Sequence, residues 1–398
     1  MIGEHDLNIL HININYTGSA LHQTMIEHLN NQSGIVNSVF VPTYDKTKSV
    51  VKCGDYVTVS ECFIKQDRVF YFKKQRKIIK SILENYDMKK FDIIHAYTLF
   101  SDGNAAMKLS EKYGIPYVVA VRNTDVNSFF KKMIHLRRHG VQILKNASAV
   151  FFLSPAYRDT VINKYVPDKL RETILRKSYV IPNGIDDFWL ENANKRNPES
   201  IINRIRNEKK LNCIYVGGID KNKNVELTLK ALSALNRKGW RCTLTSVGRI
   251  ADKSVYEKLC SYSIFRYVAP KEKEGLIEYY RKSDIFVMPS HRETFGLVYA
   301  EAMSQGLPVI YTGGQGFDGQ FDDGFVGWPV SDKEPAAMVS AIENVVNNYE
   351  SCSENAYASA NCFSWTSLCK KYVELYNCIK NGRQSALQST EEEKCCFR

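Results

Sequence analysis

The chain has 398 residues, 44% of them apolar and 24% charged; this excludes a disordered polypeptide and is too long for one ordinary core, so two domains of about 200 residues are expected. No run approaches the ~18 consecutive apolar residues of a membrane-spanning helix, and the N-terminus MIGEHDLNIL carries Glu4 and Asp6 with no basic flank, unlike a secretory signal. Eleven scattered cysteines with no C-x-x-C pair argue against a disulfide framework or a zinc site, and the eight histidines show no H-E-x-x-H spacing, so no metal is expected and a reducing, cytoplasmic compartment is.

In chain order, apolar strand-like runs at Leu7–Ile12, Ile35–Val41, Asp92–Ala96, Pro116–Val121, Ala149–Leu153 and Tyr179–Ile181 alternate with helix-like stretches at Ala20–Asn31, Asn104–Tyr113, Phe130–Lys145 and Pro155–Lys164. This alternation predicts a parallel sheet covered by helices. The segment PNGIDDFWLENANKRNP, residues 182–198, begins and ends with proline, is rich in Asn and Asp, and reads as a linker. The alternation then restarts, with strands at Leu211–Val216, Cys242–Val247, Ile285–Met288 and Pro308–Tyr311. The intervening helices are at Val225–Arg237, Val255–Cys260, Lys273–Arg281 and Phe295–Gln305, and helices at Glu334–Tyr349 and Trp365–Ile379 close the chain. The tail from Asn381 is polar. Two such α/β halves are expected to leave a cleft at the carboxyl ends of their strands, where open α/β sheets bind ligands.

Charge is uneven. Net charge is +11, and residues 1–190 hold 26 Lys and Arg against 18 Asp and Glu, which points to a phosphate-bearing or membrane-surface partner, or to a solvated basic surface.

The most informative stretch is PSHRETFGLVYAEAMSQGLPVI, residues 289–310. A strand ends at Pro289, a polar turn follows, and a helix is expected to begin near Phe295. The backbone N–H groups of Gly296, Leu297 and Val298 would then be unpaired first-turn donors which, with the positive helix end, form an anion site suited to a diphosphate. Gly296 would let that backbone approach closely. Glu293 and Glu301 stand eight residues apart, a rise of ~12 Å on a continuous helix, about the span from a sugar ring across two phosphates to a ribose. Each carboxylate can accept two hydroxyls of a vicinal diol. The expected clamp is Glu293 on the donor sugar, the helix start with Phe295–Val298 on phosphate, and Glu301 on ribose.

This string resembles the donor-site signature of family 4 of the retaining GT-B glycosyltransferases. The resemblance implies the GT-B fold: two Rossmann-like, doubly wound α/β domains facing each other across a cleft. Residues 1–182 would form the acceptor-side domain, 183–364 the nucleotide-sugar domain, and 365–380 a helix packing back on the first domain, with 381–398 a polar tail. Val180–Asp186 (VIPNGID) is similar to the family's interdomain signature. Val216–Asn224 (VGGIDKNKN) is similar to the loop that gives the diphosphate an arginine and, five residues on, a lysine; Lys223 matches the lysine, but Gly218 stands where the arginine is expected, so Lys221 or Arg249 would have to supply that charge. In the first half, Tyr16–Ser19 resembles a short glycine loop facing donor phosphates, through Gly18. Phe91–Tyr97 resembles a strand ending in His-Ala-His, with Tyr97 for the second histidine. Val119–Asn127 lies where many members carry a histidine near the reacting centre; Arg122 holds that place here. A permanent cation cannot be a base, but it can stabilise charge on the leaving phosphate or bind an anionic acceptor, and Asp125 is the nearest carboxylate able to accept a proton.

The implied function is retaining transfer of a sugar from a nucleotide-sugar donor, a substrate and not a cofactor, to a saccharide or lipid-linked acceptor, with polysaccharide assembly the expected setting. The rivals are a GT-B epimerase or inverting transferase, and a non-catalytic nucleotide-sugar or polysaccharide-binding partner. The G-x-G-x-x-G at Gly314–Gly319 is followed by QFDDGFVGWPV, which opens no helix, so it is read as a glycine loop near the donor site and not as a dinucleotide fingerprint. Two basic-aromatic patches, FYFKKQRKIIK at 70–80 and FFKKMIHLRR at 129–138, suit either interfacial helices at the inner face of a membrane or ordinary helices with apolar faces in the core. No nucleic-acid motif accompanies them.

Overall fold

A computed structural model describes residues 6–18, 20–45, 47 and 54–382; Ser19 and the tail from 383 onward lie outside the described residues. The chain divides into two compact units, one built from residues up to Leu153, Tyr157–Gly184 and the segment from Trp365, the other from Ser154–Ala156 and Ile185–Ser364.

The first unit holds seven parallel strands: β1 (Leu7–Ile12), β2 (Ile35–Thr43), β3 (Val57–Glu61), β4 (Ile93–Ala96), β5 (Tyr117–Val121), β6 (Ala149–Phe152) and β7 (Ser178–Val180), in the order β3-β2-β1-β4-β5-β6-β7. The second holds six: β8 (Lys210–Val216), β9 (Arg241–Val247), β10 (Phe265–Val268), β11 (Ile285–Met288), β12 (Val309–Thr312) and β13 (Gly327–Val330), in the order β10-β9-β8-β11-β12-β13. All pairings are parallel. Both sheets are doubly wound, and the winding direction reverses between β1 and β4 and between β8 and β11, the places where such sheets open a crevice.

The central strands of the first unit, β1, β4, β5 and β6, are buried on both faces, as the inner strands of a parallel sheet are. Leu10, Ile12, Ile94, Ala96, Val119 and Val121 join one apolar cluster, while Ile9, Ile93, Val118 and Ala120 join the other. That second cluster is completed by the last helix, Trp365–Lys380, through Trp365, Leu368, Cys369, Tyr372 and Tyr376. His95 Nδ1 and the Tyr376 hydroxyl lie 2.6 Å apart, tying this helix to β4.

Three strands escape the sequence pattern. β3, β10 and β13 are at or near sheet edges, short and largely half-buried, so they lack the apolar run of a central strand. β13 even contains Pro329, which an edge tolerates because one side of its backbone needs no ladder partner. The linker 182–198 contains a five-residue helix, Asp187–Glu191, capped by Asp186, and Pro198 opens another, Pro198–Glu208, capped by Asn197. The two basic-aromatic patches divide between both readings. Helix Tyr71–Asn85 buries Gln75, Ile78 and Ile82 yet leaves Val69, Phe70 and Phe72 exposed around its start. The second patch is not one helix: a π turn at Asp125–Phe130 and a 3-10 turn at Ile134–Leu136 precede helix Arg137–Asn146. Phe129 and Phe130 pack on Phe100, and Met133 and Ile134 stay exposed. No helix among the described residues is long and apolar enough to cross a membrane.

Candidate active site

The loops that follow β8 and β11 flank the reversal point of the second sheet, and they are tied together by backbone and amide groups. His291 N–H donates to the Asn222 carbonyl at 2.8 Å, and Asn222 Nδ2 donates to the Arg292 carbonyl at 2.9 Å. Asn224, in the left-handed conformation at φ 52°, donates through Nδ2 to the carbonyls of Pro289 (3.1 Å) and Asp332 (2.8 Å). Asp220 caps the intervening turn by accepting from Lys223 N–H at 3.0 Å. The result is a rigid platform for Lys223. Asparagine suits it because its short amide satisfies backbone groups locally and tolerates the left-handed region.

Lys223 Nζ pairs with Glu293 Oε2 at 2.7 Å, and both are largely buried. The two residues expected at diphosphate and sugar thus sit side by side. Glu293 is held from several directions. Its N–H donates to Gln315 Oε1 at 3.1 Å, its carbonyl accepts from Gly316 N–H at 3.2 Å, and its Oε1 accepts from Thr294 N–H at 3.0 Å. A side chain at Gly316 would put its Cβ 1.9 Å from the Thr294 carbonyl oxygen, so only glycine lets these two loops meet. The Gly314–Gly319 stretch opens no helix and braces the donor loop.

The helix after β11 is Leu297–Ser304, two residues later than expected. Gly296 precedes it at φ +80°, and a Cβ there would lie 2.6 Å from the Tyr299 ring and 3.0 Å from Met288 Cε. The N–H groups of Gly296, Leu297 and Val298 find no acceptor among the described residues. The ~12 Å rise from Glu293 to Glu301 does not apply, because residues 293–296 lie outside the helix. Phe295 is a core side chain, packed on Phe317 and Phe363, so only its backbone is available to a ligand. Glu301 is half-buried and accepts from the Tyr280 hydroxyl at 3.2 Å. Burial raises its carboxyl to about 7.

Gly218 leaves its space to an arginine from the loop after β9: a Cβ on Gly218 would stand 3.7 Å from both Cγ and Nε of Arg249, which is exposed.

In the first unit, Gly18 closes a 3-10 turn after β1, and a Cβ added there would meet nothing within 4 Å. Arg122, at the end of β5, donates through Nε to the Tyr97 carbonyl (3.2 Å) and through Nη1 to Asn183 Oδ1 (3.0 Å). Tyr97 stacks on His95 at 4.3 Å between ring centres. Burial holds neighbouring His11 and His22 neutral, at about 4 and about 3. Asp125 opens the π turn Asp125–Phe130 that follows β5. Its carboxylate already accepts from three backbone N–H groups, those of Leu99 (3.0 Å), Phe100 (3.1 Å) and Arg122 (2.8 Å). Burial raises its carboxyl to about 6 despite those bonds.

Asn222, Asn224 and Gln315 were not singled out from sequence. The Asn-rich turn KNKN before a helix was the available signal for the first two; nothing local marked Gln315.

Residues 197–360 match the family described as Glycosyl transferases group 1, and residues 23–187 match Glycosyltransferase Family 4. A D-inositol 3-phosphate glycosyltransferase of Paenarthrobacter aurescens is 26% identical over 311 residues, 74% of each chain. Among solved structures, a sucrose-phosphate synthase from Thermosynechococcus elongatus superposes with a TM-score of 0.71 at 17% identity, over 94% of this chain and all of that one. HepE from Anabaena in complex with UDP-glucose gives 0.62 at 16% identity, over 93% and 99%.

Proposed function

The chain belongs to the family 4, group 1 glycosyltransferases and has their GT-B fold, and from that premise we propose that it transfers a sugar, with retained anomeric configuration, from a nucleotide-sugar to a saccharide or lipid-linked acceptor in polysaccharide assembly. The observation that carries this reading is the Lys223–Glu293 pair set beside unpaired N–H groups at the start of helix Leu297–Ser304.

Displacement at the anomeric carbon leaves a nucleoside diphosphate and an oxocarbenium-like centre, so the protein must stabilise new negative charge on one and hold the other in place. Lys223 and the N–H groups of Gly296, Leu297 and Val298 take the diphosphate. Arg249 supplies the second cation in the space that Gly218 leaves open. Glu293, released from Lys223 when phosphate arrives, accepts hydroxyls of the donor sugar. Glu301 accepts the ribose diol. Arg122 bears on the reacting centre as a fixed cation, and Asp125 holds the end of β5 in shape. With this much cationic compensation from the chain, transfer is proposed to need no divalent ion.

A panel of UDP-, GDP-, ADP- and dTDP-sugars tests the proposal by thermal shift and by release of nucleoside diphosphate in EDTA. One donor is expected to raise the melting temperature and to be consumed. Absence of both effects across the panel overturns it.

Donor affinity also carries a pH signature. Only ionised Glu301 accepts both ribose hydroxyls, and its carboxyl titrates at about 7. Lowering the pH below that value protonates it, so the donor KM is expected to rise, by up to about ten-fold per pH unit, and to level off above pH 7. Glu301→Gln removes the slope; a flat wild-type profile between pH 5.5 and 8 refutes the assignment.

A further inference from the structure

Glu301 is served by a neighbouring helix. Helix Lys273–Arg281 carries Tyr280, which is fully buried and whose hydroxyl donates to Glu301 Oε2 at 3.2 Å. The ring has little freedom to leave. It packs edge-on against Trp189 at 5.5 Å between ring centres and lies 6.1 Å from Phe286 on β11.

Both ends of this helix are pinned. At its start, Lys273 Nζ pairs with the two carboxylate oxygens of Asp186, at 2.7 and 2.8 Å, and stands over the Phe188 ring at 5.2 Å. At its end, one guanidinium serves two helices. Arg196 donates to the carbonyls of Tyr280 (2.8 Å), Arg281 (3.0 Å) and Ser283 (2.7 Å), and through Nε to that of Gln305 (2.8 Å), which closes helix Leu297–Ser304. Arg281 Nε adds a bond to Gln305 Oε1 at 3.1 Å. The last carbonyls of a helix have no partner within it, and the fork of an arginine can answer several of them at once. Arg196 therefore fixes the helix that bears Tyr280 against the helix that bears Glu301.

The Tyr280 hydroxyl has one bond to donate, and burial and the neighbouring carboxylate keep it protonated. A carboxylate oxygen accepts about two hydrogen bonds, so Oε2 keeps one acceptor site and Oε1 keeps both. The terminal torsion of a glutamate is broad, and without an anchor the carboxylate would turn. Burial disfavours the ionised form of Glu301; the Tyr280 hydroxyl favours it, and the field of Asp186, which carries Lys273 as its counter-ion, opposes it.

We propose that Tyr280 is the positioning residue for Glu301: its hydroxyl holds Oε2 so that Oε1 and the remaining acceptor site on Oε2 meet the ribose diol, which makes the site selective for ribonucleotide over 2′-deoxyribonucleotide donors. A site built to bond a hydroxyl rejects the analogue that lacks it, because its own polar group is then left unpaired. The inference rests on the glycosyl-transfer reading, in which Glu301 takes the ribose, and deepens it.

Calorimetric titration of the full chain with UDP, GDP and ADP and with their 2′-deoxy counterparts, at pH 8.5, reads this selectivity. For the nucleotide that binds, the ribo form is expected to be favoured by about ten-fold or more. Tyr280→Phe keeps the ring and its packing, and is expected to cut that preference to about three-fold or less. Repeating the titrations from pH 5.5 to 9 gives a second readout. Loss of the hydroxyl moves the Glu301 titration upward from about 7, so affinity for the ribonucleotide is expected to fall away at a higher pH in the variant than in wild type. A substitution that only loosened the packing would weaken ribo and deoxy forms alike and leave that midpoint in place. The proposal falls if Tyr280→Phe keeps or increases the ribo preference, or leaves the midpoint where it is. Wild-type protein that binds a nucleotide with neither ribo preference nor pH dependence overturns it by striking Glu301 itself, and protein that binds none of the nucleotides at millimolar concentration overturns it by striking the donor site.

Discussion

Replacing Glu293 by alanine is expected to lower turnover by two to three orders of magnitude while leaving the chain folded. Removal of a group aimed at charge that develops in the transition state typically removes about 3–4 kcal/mol, and Glu293 is fixed as such a group should be. Gln315 and Gly316 hold its backbone, Thr294 N–H and Lys223 hold its carboxylate, and the loop opposite is anchored by Asn222 and Asn224. Its loss leaves Lys223 without its carboxylate partner, but that side chain still reaches solvent, so the melting temperature should move little. Glu293→Gln separates charge from shape: it keeps the acceptor oxygen and loses the attraction for Lys223. Release of nucleoside diphosphate at wild-type rates in either variant would remove Glu293 from the chemistry.

Asp125→Ala is expected to act on stability first. The substitution strips three backbone N–H groups, of Leu99, Phe100 and Arg122, of their acceptor, and each buried donor left unsatisfied costs about 1–3 kcal/mol. The sum, roughly 3 kcal/mol or more, is a large share of the 5–15 kcal/mol that holds a typical domain folded. Thermal unfolding followed by circular dichroism should show the first unit melting well below the second. At 15 °C, in the fraction still folded, turnover is expected within several-fold of wild type. An unchanged melting curve with turnover down a hundred-fold would restore Asp125 to the part of proton acceptor.

The central strands were legible because burial on both faces leaves them little freedom but to be apolar, and Leu7–Ile12 and Ile285–Met288 were read to the residue. The edge strands β3, β10 and β13 were not, because their half-exposed residues need no such run. The helix start was misplaced for a comparable reason. Phe295 is apolar and adjacent to helical residues, but its ring belongs to the core, and Gly296 turns through the left-handed region before the first helical hydrogen bond forms. Local pattern reports side-chain polarity; it does not report where the backbone changes hand. Lys223 and Glu293 were each found by motif, yet their mutual ion pair spans 70 residues and no spacing rule encodes it. The same holds for Gln315 and for the approach of Arg249 to Gly218, which depend on which strands are neighbours. Asp125 shows a further limit: its carboxylate accepts from backbone N–H groups 25 and 26 residues upstream, contacts that no local pattern encodes.

The last helix, Trp365–Lys380, completes a core that β1 begins, and 180 residues of the other unit intervene between Gly184 and Trp365. On a ribosome adding about 5–20 residues per second, the nascent first unit waits roughly 10–40 seconds with the apolar face meant for Trp365, Leu368 and Tyr376 uncovered. The unit that is synthesised first is therefore the one that finishes folding last, and a chain released early, at Ser364, would expose that face for good.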